Sequence, residues 1–413
     1  MPSMSSHATT TLMLVIGMLV SGVCNTILNK YQDMQCVEFC NDPDPSKRRY
    51  FEQPVWQTLN MFVGETAVML VHLYQVFERR RQAMAAVPPS AANQLDAARL
   101  VDDVDHQVDK QQHREPLKGT KALLFWIPTL CDMTATTIMN VGLLFTSASV
   151  YQMLRGSVVI FTGIFSYFFL NRRLRLFEWV ALGMVVSGVA IVGLSSLIFP
   201  QNKPSDTTNN SQEDPPFDVM SLVGVVLVLG AQLFTASQFV IEEKILHRYH
   251  VTPVKAVGLE GSFGLVSVLG ALPFLHVFFG DRHEAFDIEK GFHDFFDVPG
   301  VWQTGIAIAF SIAFFNWFGL AITRRISATA RSTIDTCRTL FIWMVSLYLG
   351  WEQFSWIQVI GFAVMVLGTF YFNGVIRYPF ASDEELARQA EHERAPLLQQ
   401  STDGRDSSSE YRD

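Results

Sequence analysis

The chain has 413 residues, 49% of them hydrophobic and only 17% charged. That leaves too few charges to cover a water-soluble globule of this size, and the formal charge of −8 is concentrated in the stretch 381–413, where nine carboxylates face four arginines. No basic patch points to nucleic acid, and no nucleophile elbow, His/Glu metal spacing or phosphate loop points to an enzyme, so no cofactor or metal is expected.

A helix needs about 20 mostly apolar residues to cross a bilayer. Ten stretches qualify: 12–29, 54–77, 122–145, 150–170, 176–199, 219–241, 257–279, 301–323, 328–349 and 356–376. They predict an all-α polytopic membrane protein with ten transmembrane helices. The first competes with a signal-peptide reading, since 12–23 would serve as an h-region, but it lacks a basic n-region and its removal would leave nine spans.

Between the first two stretches lie Cys36 and Cys40, four residues apart. An oxidising compartment would allow a local disulfide there. Two cysteines lack the partners of a zinc site, and free thiols are the alternative. Cys24, Cys131 and Cys337 fall within spans and read as apolar packing residues. The segment 79–121 mixes an arginine cluster with Ala/Pro and many Asp and Gln residues. It cannot bury enough apolar surface to fold alone, which predicts a flexible cytosolic loop. The loop 200–218 carries the sequon Asn209-Asn210-Ser211, a glycosylation acceptor if this loop is luminal. The end, 378–413, reads as a disordered acidic tail.

Lys and Arg accumulate in cytosolic loops. With the N-terminus in the cytosol, sixteen of them lie on that side before the tail is counted and seven on the other, which places both termini in the cytosol.

The last five stretches echo the first five. Ser147-Ala148-Ser149 matches Ser327-Ala328-Thr329, and the same offset sets Arg155 opposite Asp335. Five helices per unit is an odd number, so the second unit crosses the membrane in the opposite sense. The chain thus divides into a first repeat (1–199), a luminal linker (200–218) and a second repeat (219–377), an inverted arrangement whose halves rock about a central site.

Ionisable groups inside spans are costly and mark pathways by default. The polar and ionisable residues inside spans here are Glu65; Asp132, with Asn140 in the same span; Gln152 and Arg155; Glu260; Asn316; and Arg331, Asp335 and Arg338. The last three are spaced to share one helix face. Asp335 serving as a structural counter-ion would account for one arginine and leave the others needing Asp132, Glu65 or Glu260. Glu242, Glu243 and Lys244 sit at a span end and read as an interfacial cluster. Ser147–Ser149 and Ser327–Thr329 suit helix N-caps, whose partial positive ends suit an anion.

Several runs carry a family resemblance: Cys131-Asp132-Met133-Thr134, Gln152-Met153-Leu154-Arg155-Gly156, Ile160-Phe161-Thr162-Gly163, Glu242-Glu243-Lys244, Phe314-Phe315-Asn316, Arg338-Thr339 and Gly350-Trp351-Glu352. They resemble the F branch of solute carrier family 35, in the drug/metabolite transporter superfamily of EamA-like proteins, over residues 12–377. The resemblance implies ten helices in two inverted repeats, alternating access, and an endolysosomal or Golgi membrane, with the mitochondrion as a further location. Other branches of the superfamily exchange nucleotide sugars for nucleotide monophosphates, and the chloroquine-resistance type exports cationic amino acids, peptides and drugs.

The tail adds Glu393-Arg394-Ala395-Pro396-Leu397-Leu398, which resembles the acidic-dileucine signals read by clathrin adaptors for lysosomal or vacuolar delivery. The expected function is therefore transport of a small organic solute across an endolysosomal-type membrane, with protons as a candidate coupling ion. The alternatives are nucleotide-sugar exchange in the Golgi, and a membrane adaptor that binds a partner through its loop and tail.

Overall fold

A computed structural model describes residues 6–42, 44, 47–51, 53–86, 115–117, 119–145, 151, 154–170, 174–198, 219–279, 287–350, 354–372 and 376. The helices are α1 (Ser6–Asp33), α2 (Pro54–Ala86), α3 (Trp126–Phe145, continuing a 3-10 turn over Gly119–Phe125), α4 (Val158–Phe169), α5 (Leu176–Ile198), α6 (Val219–Arg248), α7 (Pro253–Phe279), α8 (Ile288–Phe296), α9 (Pro299–Arg325), α10 (Ala328–Tyr348) and α11 (Trp356–Phe372). Among the described residues, five helical segments are long and apolar enough to cross a membrane by length and composition, those of α1, α3, α6, α7 and α9; α4, α5 and α11 include shorter apolar segments. The helix α10 places Arg331, Asp335 and Arg338 among its 21 residues, which lowers its apolar content.

The distribution of polarity is the reverse of a soluble globule's. Leu70, Phe168, Val277 and Phe310 lie on the outer surface, whereas Glu65, Glu242, Glu260 and Arg331 are buried. In lipid, every backbone polar group must be satisfied within the chain, and a helix does this segment by segment.

The helices pack α5 on α11, α3 on α6, α2 on α7 and α1 on α9; α4 meets α6 and α10, α1 meets α10, α2 meets α9, and α3 meets α7. The α5–α11 seam runs antiparallel. Gly188 faces Gly361 and Met365 while Gly368 faces Ala181 and Val185, and a Cβ at Gly361 would lie 2.8 Å from the Gly188 carbonyl oxygen. Small residues give such backbones their close approach in a bilayer.

One end of the bundle carries a lid. Strands β1 (Cys36–Glu38) and β2 (Arg49–Tyr50) pair antiparallel, and Cys36 and Cys40 are bridged. Arg49 donates to Glu38 at 2.8 Å and to both carboxylate oxygens of Asp294 at 2.9 and 2.6 Å. Phe51, Trp56 and Phe295 pack beneath. The hydrogen bond from Arg49 and its charge hold the Glu38 carboxyl below the usual carboxylate range. This contact therefore contributes above the ordinary carboxylate pKa and is lost as pH falls through the lowered value.

At the opposite end, strands β3 (Glu115–Pro116) and β4 (Tyr249–His250) pair in parallel. Lys255 Nζ donates to the Leu117 carbonyl at 3.2 Å, and Arg324 donates to the Val251 carbonyl at 2.7 Å.

Several expectations change. The segment 79–121 is not all loop: α2 runs on to Ala86, so Arg79–Arg81 lie on a helix, Glu115–Pro116 form a strand, and a 3-10 turn begins at Gly119. The segment between the seventh and eighth apolar stretches contains α8, whose start is fixed by the Asp287 carboxylate accepting from the Glu289 and Lys290 amides. The stretch 150–170 yields a shorter helix, α4.

Gly361→Leu should overpack the α5–α11 seam and cost about 1–3 kcal/mol. A lower thermal-unfolding midpoint of the purified protein would register it, and an unchanged midpoint would refute the close packing.

Candidate functional site

The site lies where α2 and α7 cross. Glu65 is eleven residues into α2 from the lid end, and Glu260 is seven residues into α7 from the other. At 1.5 Å rise per residue, each is roughly 10–16 Å from a helix end. Both are buried, at 3% and 7% exposure. Asn316 on α9 donates from its side-chain amide to Glu65 Oε1.

Arg331 occupies the first turn of α10 and is 2% exposed. It donates to Glu242 Oε2 on α6 and lies over the Phe239 ring, 4.2 Å from its centroid. Gly319 on α9 makes room for the guanidinium, since a Cβ there would lie 2.7 Å from Arg331 Nε. Glu65, Asp132, Glu242 and Glu260 all lie within electrostatic reach of Arg331. Glu242 thus contacts the guanidinium, and three further carboxylates lie within its electrostatic reach. Glu242 Oε1, Glu260 Oε1 and Arg331 Nε are buried without a hydrogen-bond partner.

A second group sits further along α10. Arg338 Nε approaches Asp335 Oδ1 at 3.3 Å on the same helix. The Arg338 guanidinium lies 4.8 Å from the Phe315 ring centroid, and Gly22 of α1 backs its side chain. Arg155, half-buried beside Tyr151, is within electrostatic reach of Arg338. Although Arg331, Asp335 and Arg338 share a spacing, they therefore serve two sites. Asp335 pairs with Arg338, and Arg331 turns to α6.

Three readings from the sequence need correction. Glu242 and Glu243 are not an interfacial cluster: they are 0% and 3% exposed, and only Lys244 of that trio is on the surface. The α10 N-terminus is also not vacant for an anionic solute. Ser327 accepts from the Ala330 amide at 3.0 Å, and Glu243 Oε2 accepts from the Ala328 amide at 2.7 Å, so a carboxylate of the chain already occupies that position. Finally, Glu242 is a site residue that the sequence did not nominate. Its signal was the apolar face continuing past it through Ile245 and Leu246, both buried.

Gln152, Asn209, Glu393, Leu397 and Leu398 lie outside the described residues, as does the side chain of Asn140. A cavity of about 590 Å³ opens at the end opposite the lid, lined by Phe169, Leu170, Glu243, Lys244, His247 and Arg248. Glu243 in its wall is the sequence neighbour of Glu242.

The sequence profile of the UAA transporter family matches residues 104–376. "Solute carrier family 35 member F6" of Homo sapiens is 36% identical over 391 residues, covering 91% of this chain and 93% of that protein. An uncharacterised protein of Schizosaccharomyces pombe is 34% identical over 374 residues, covering 90% and 99%. A solved crystal structure of a protein with 10% identity superimposes with a TM-score of 0.54, covering 90% of this chain and 99% of the other, a likeness of fold. The chain is an integral, multi-pass membrane transporter of small-molecule solutes. It belongs to the F branch of solute carrier family 35, among the UAA transporters of the drug/metabolite transporter superfamily.

Glu242→Ala should strand Arg331 as an uncompensated buried charge, a change that typically costs about 3–5 kcal/mol. Glu242→Leu combined with Arg331→Met should cost less than Glu242→Ala alone, read from thermal unfolding of purified protein. Strict additivity of the two single changes would refute the pairing.

Proposed function

We propose that this chain is a secondary-active transporter that moves a small organic solute by alternating access across an endolysosomal-type membrane, coupled to protons. The observation that carries this is the group of four carboxylates within electrostatic reach of Arg331, buried between the helices in the half of the bundle away from the lid. Buried ionisable groups are expensive in a membrane, and an adaptor acting through its loop and tail gains nothing from them. Carboxylates can exchange protons with the compartments they alternately face, and the pair Arg338–Asp335, with Arg155 nearby, lines the same pathway further along α10.

Ten transmembrane helices in two inverted repeats are supported by the pattern of helix packing. Exchange α1 with α6, α2 with α7, α3 with α9, α4 with α10 and α5 with α11. The contact α1–α9 then becomes α6–α3, α1–α10 becomes α6–α4, and α2–α9 becomes α7–α3, all of which occur. The contacts α2–α7, α4–α10 and α5–α11 map onto themselves. Pseudo-twofold packing of this kind suits two halves that rock about a fixed site. The repeats are 1–199 and 219–377, with the lid end on the luminal side and both termini in the cytosol, in keeping with the Lys/Arg bias of sixteen to seven.

Purified protein in liposomes should show solute uptake that depends on a pH gradient, screened across amino acids, small cations and nucleotide sugars. Arg155→Ala and Asp335→Ala should each abolish it. Uptake indifferent to the gradient would refute the coupling, and full activity in both variants would remove these residues from the pathway.

The signal at Glu393, Leu397 and Leu398 is read here as a clathrin-adaptor site on a cytosolic tail. Replacing both leucines by alanine should divert the protein from lysosomes or vacuoles toward the cell surface, with an antibody reaching a C-terminal tag only from the cytosol. An unchanged distribution would make the motif incidental.

A further inference from the structure

We infer that the cavity between the ends of α4 and α6 binds an anionic membrane lipid whose head group carries a monoester phosphate, with Lys244 and Arg248 as its charged contacts. The inference goes beyond solute transport and takes from that reading only the cytosolic leaflet as the source of the lipid.

The cavity, about 590 Å³ in volume, is lined from α4 by Phe169 and Leu170 and from α6 by Glu243, Lys244, His247 and Arg248. Lys244 and Arg248 are four positions apart and both on the surface. They therefore share one face of α6, roughly 6 Å apart along its axis. Like charges at this spacing repel, and among the described residues neither side chain meets a carboxylate or a hydrogen-bond acceptor. Arg248 lies over the Tyr249 ring, 5.7 Å from its centroid, and Lys121 approaches the same ring at 5.5 Å, which adds a further cation at this end.

The carboxylate in the wall is already engaged. Glu243 is 3% exposed; its Oε2 accepts from the Ala328 amide at 2.7 Å, and its Oε1 lies 3.5 Å from His247 Nε2. The C-terminal ends of α4 and α6 add about half a negative charge each, less than Lys244 and Arg248 carry together. An anion entering the cavity thus offsets a positive excess. Guanidinium and ammonium groups both bind phosphate, and a monoester phosphate has a charge of about −2 at neutral pH for two neighbouring cations to share.

The apolar wall assigns that phosphate to a lipid. Phe169 is 60% exposed and follows Tyr167 and Phe168, which are exposed as well. Aromatic residues gather where a spanning helix leaves the bilayer. The cavity offers a charged side at the helix ends and an apolar side continuous with the outer surface, the same division as a phospholipid's head and tail. Basic pockets between spanning helices take phosphorylated lipid head groups, whereas a dissolved phosphate compound would leave the aromatic wall uncovered.

The test titrates purified full-length protein in detergent with short-chain phosphatidylinositol 4-phosphate, phosphatidylserine, phosphatidylcholine and the soluble inositol 1,4-bisphosphate. Binding is read by native mass spectrometry and by the thermal-unfolding midpoint. The phosphorylated lipid should bind most tightly and raise the midpoint, and the other three should each bind more weakly. Lys244→Gln with Arg248→Gln should weaken binding of the phosphorylated lipid by roughly tenfold or more. Arg80→Gln with Arg325→Gln removes the same charge from other exposed positions at that end and should leave binding unchanged. Should the first pair fail to fold, either single change should still weaken binding, and Lys244→Arg with Arg248→Lys, which keeps both charges, should retain it. Phosphatidylserine or phosphatidylcholine binding as tightly, the soluble head group matching the lipid, no loss in the Lys244 and Arg248 variants, or an equal loss in the Arg80 and Arg325 variant would overturn the inference. None of these readouts involves solute uptake, so the lipid site and the transport reading stand or fall separately.

Discussion

The constraint on which the rest of the molecule depends is the compensation of Arg331. A guanidinium stays charged under any physiological condition, so a buried one has to find an anion or leave the interior. Glu242 supplies that anion, and in doing so fixes α10 against α6. The contact also sets the rotation of both helices. With Arg331 turned to α6, Asp335 and Arg338, one and two turns on, meet each other, and Arg338 lies against Phe315 of α9. With Glu242 facing inward, Glu243 comes round to cap the first amide of α10. The acidic residues of α2, α3 and α7 lie within electrostatic reach of the same guanidinium.

Much of the architecture was legible because a bilayer restricts a spanning chain to few solutions. Apolar stretches of span length fall on helices, and ionisable residues such as Glu65, Glu260 and Arg331 stood out against their apolar neighbours. Glu242 escaped because a span was taken to end at its first charge. Charge marks a span's end only when the side chain reaches the interface, and burial on the inner face of α6 is the other outcome. Sequence spacing also put Arg331, Asp335 and Arg338 on one face but could not say which neighbour each would meet. That depends on where α6 and α9 sit, which is a long-range property.

The lid was illegible for a related reason. Arg49 on β2 and Asp294 on α8 are 245 residues apart, and although Ile288, Phe292 and Phe295 give α8 a helical spacing, nothing in either segment's own sequence says that the two meet. Each half looked like an ordinary hydrophilic connection. The hydrogen bond from Gln53 to Asp294, at 2.9 Å, and the packing of Trp56 on Phe295 depend on the two loops being brought to the same end of the bundle. That follows from the pairing of α1 with α9 and α2 with α7, and only the folded chain displays it.

Among the described residues, the two ends of the bundle are fastened unequally. At the lid end, a two-pronged ion pair to a buried aspartate, a disulfide-braced ribbon and an aromatic cluster act together, and bidentate guanidinium contacts are among the strongest polar interactions available to a protein. At the other end, the fastening is a pair of two-residue strands and bonds from Lys255 and Arg324 to backbone carbonyls, beside an open cavity whose wall includes Glu243. Opening the lid end therefore requires separating Arg49 from Asp294, and because the Cys36–Cys40 bridge constrains the turn after β1, the ribbon has to move with its parent helices α1 and α2. Those are the helices that pack on α9 and α7, so movement at the lid is mechanically tied to the crossing where Glu65 and Glu260 lie.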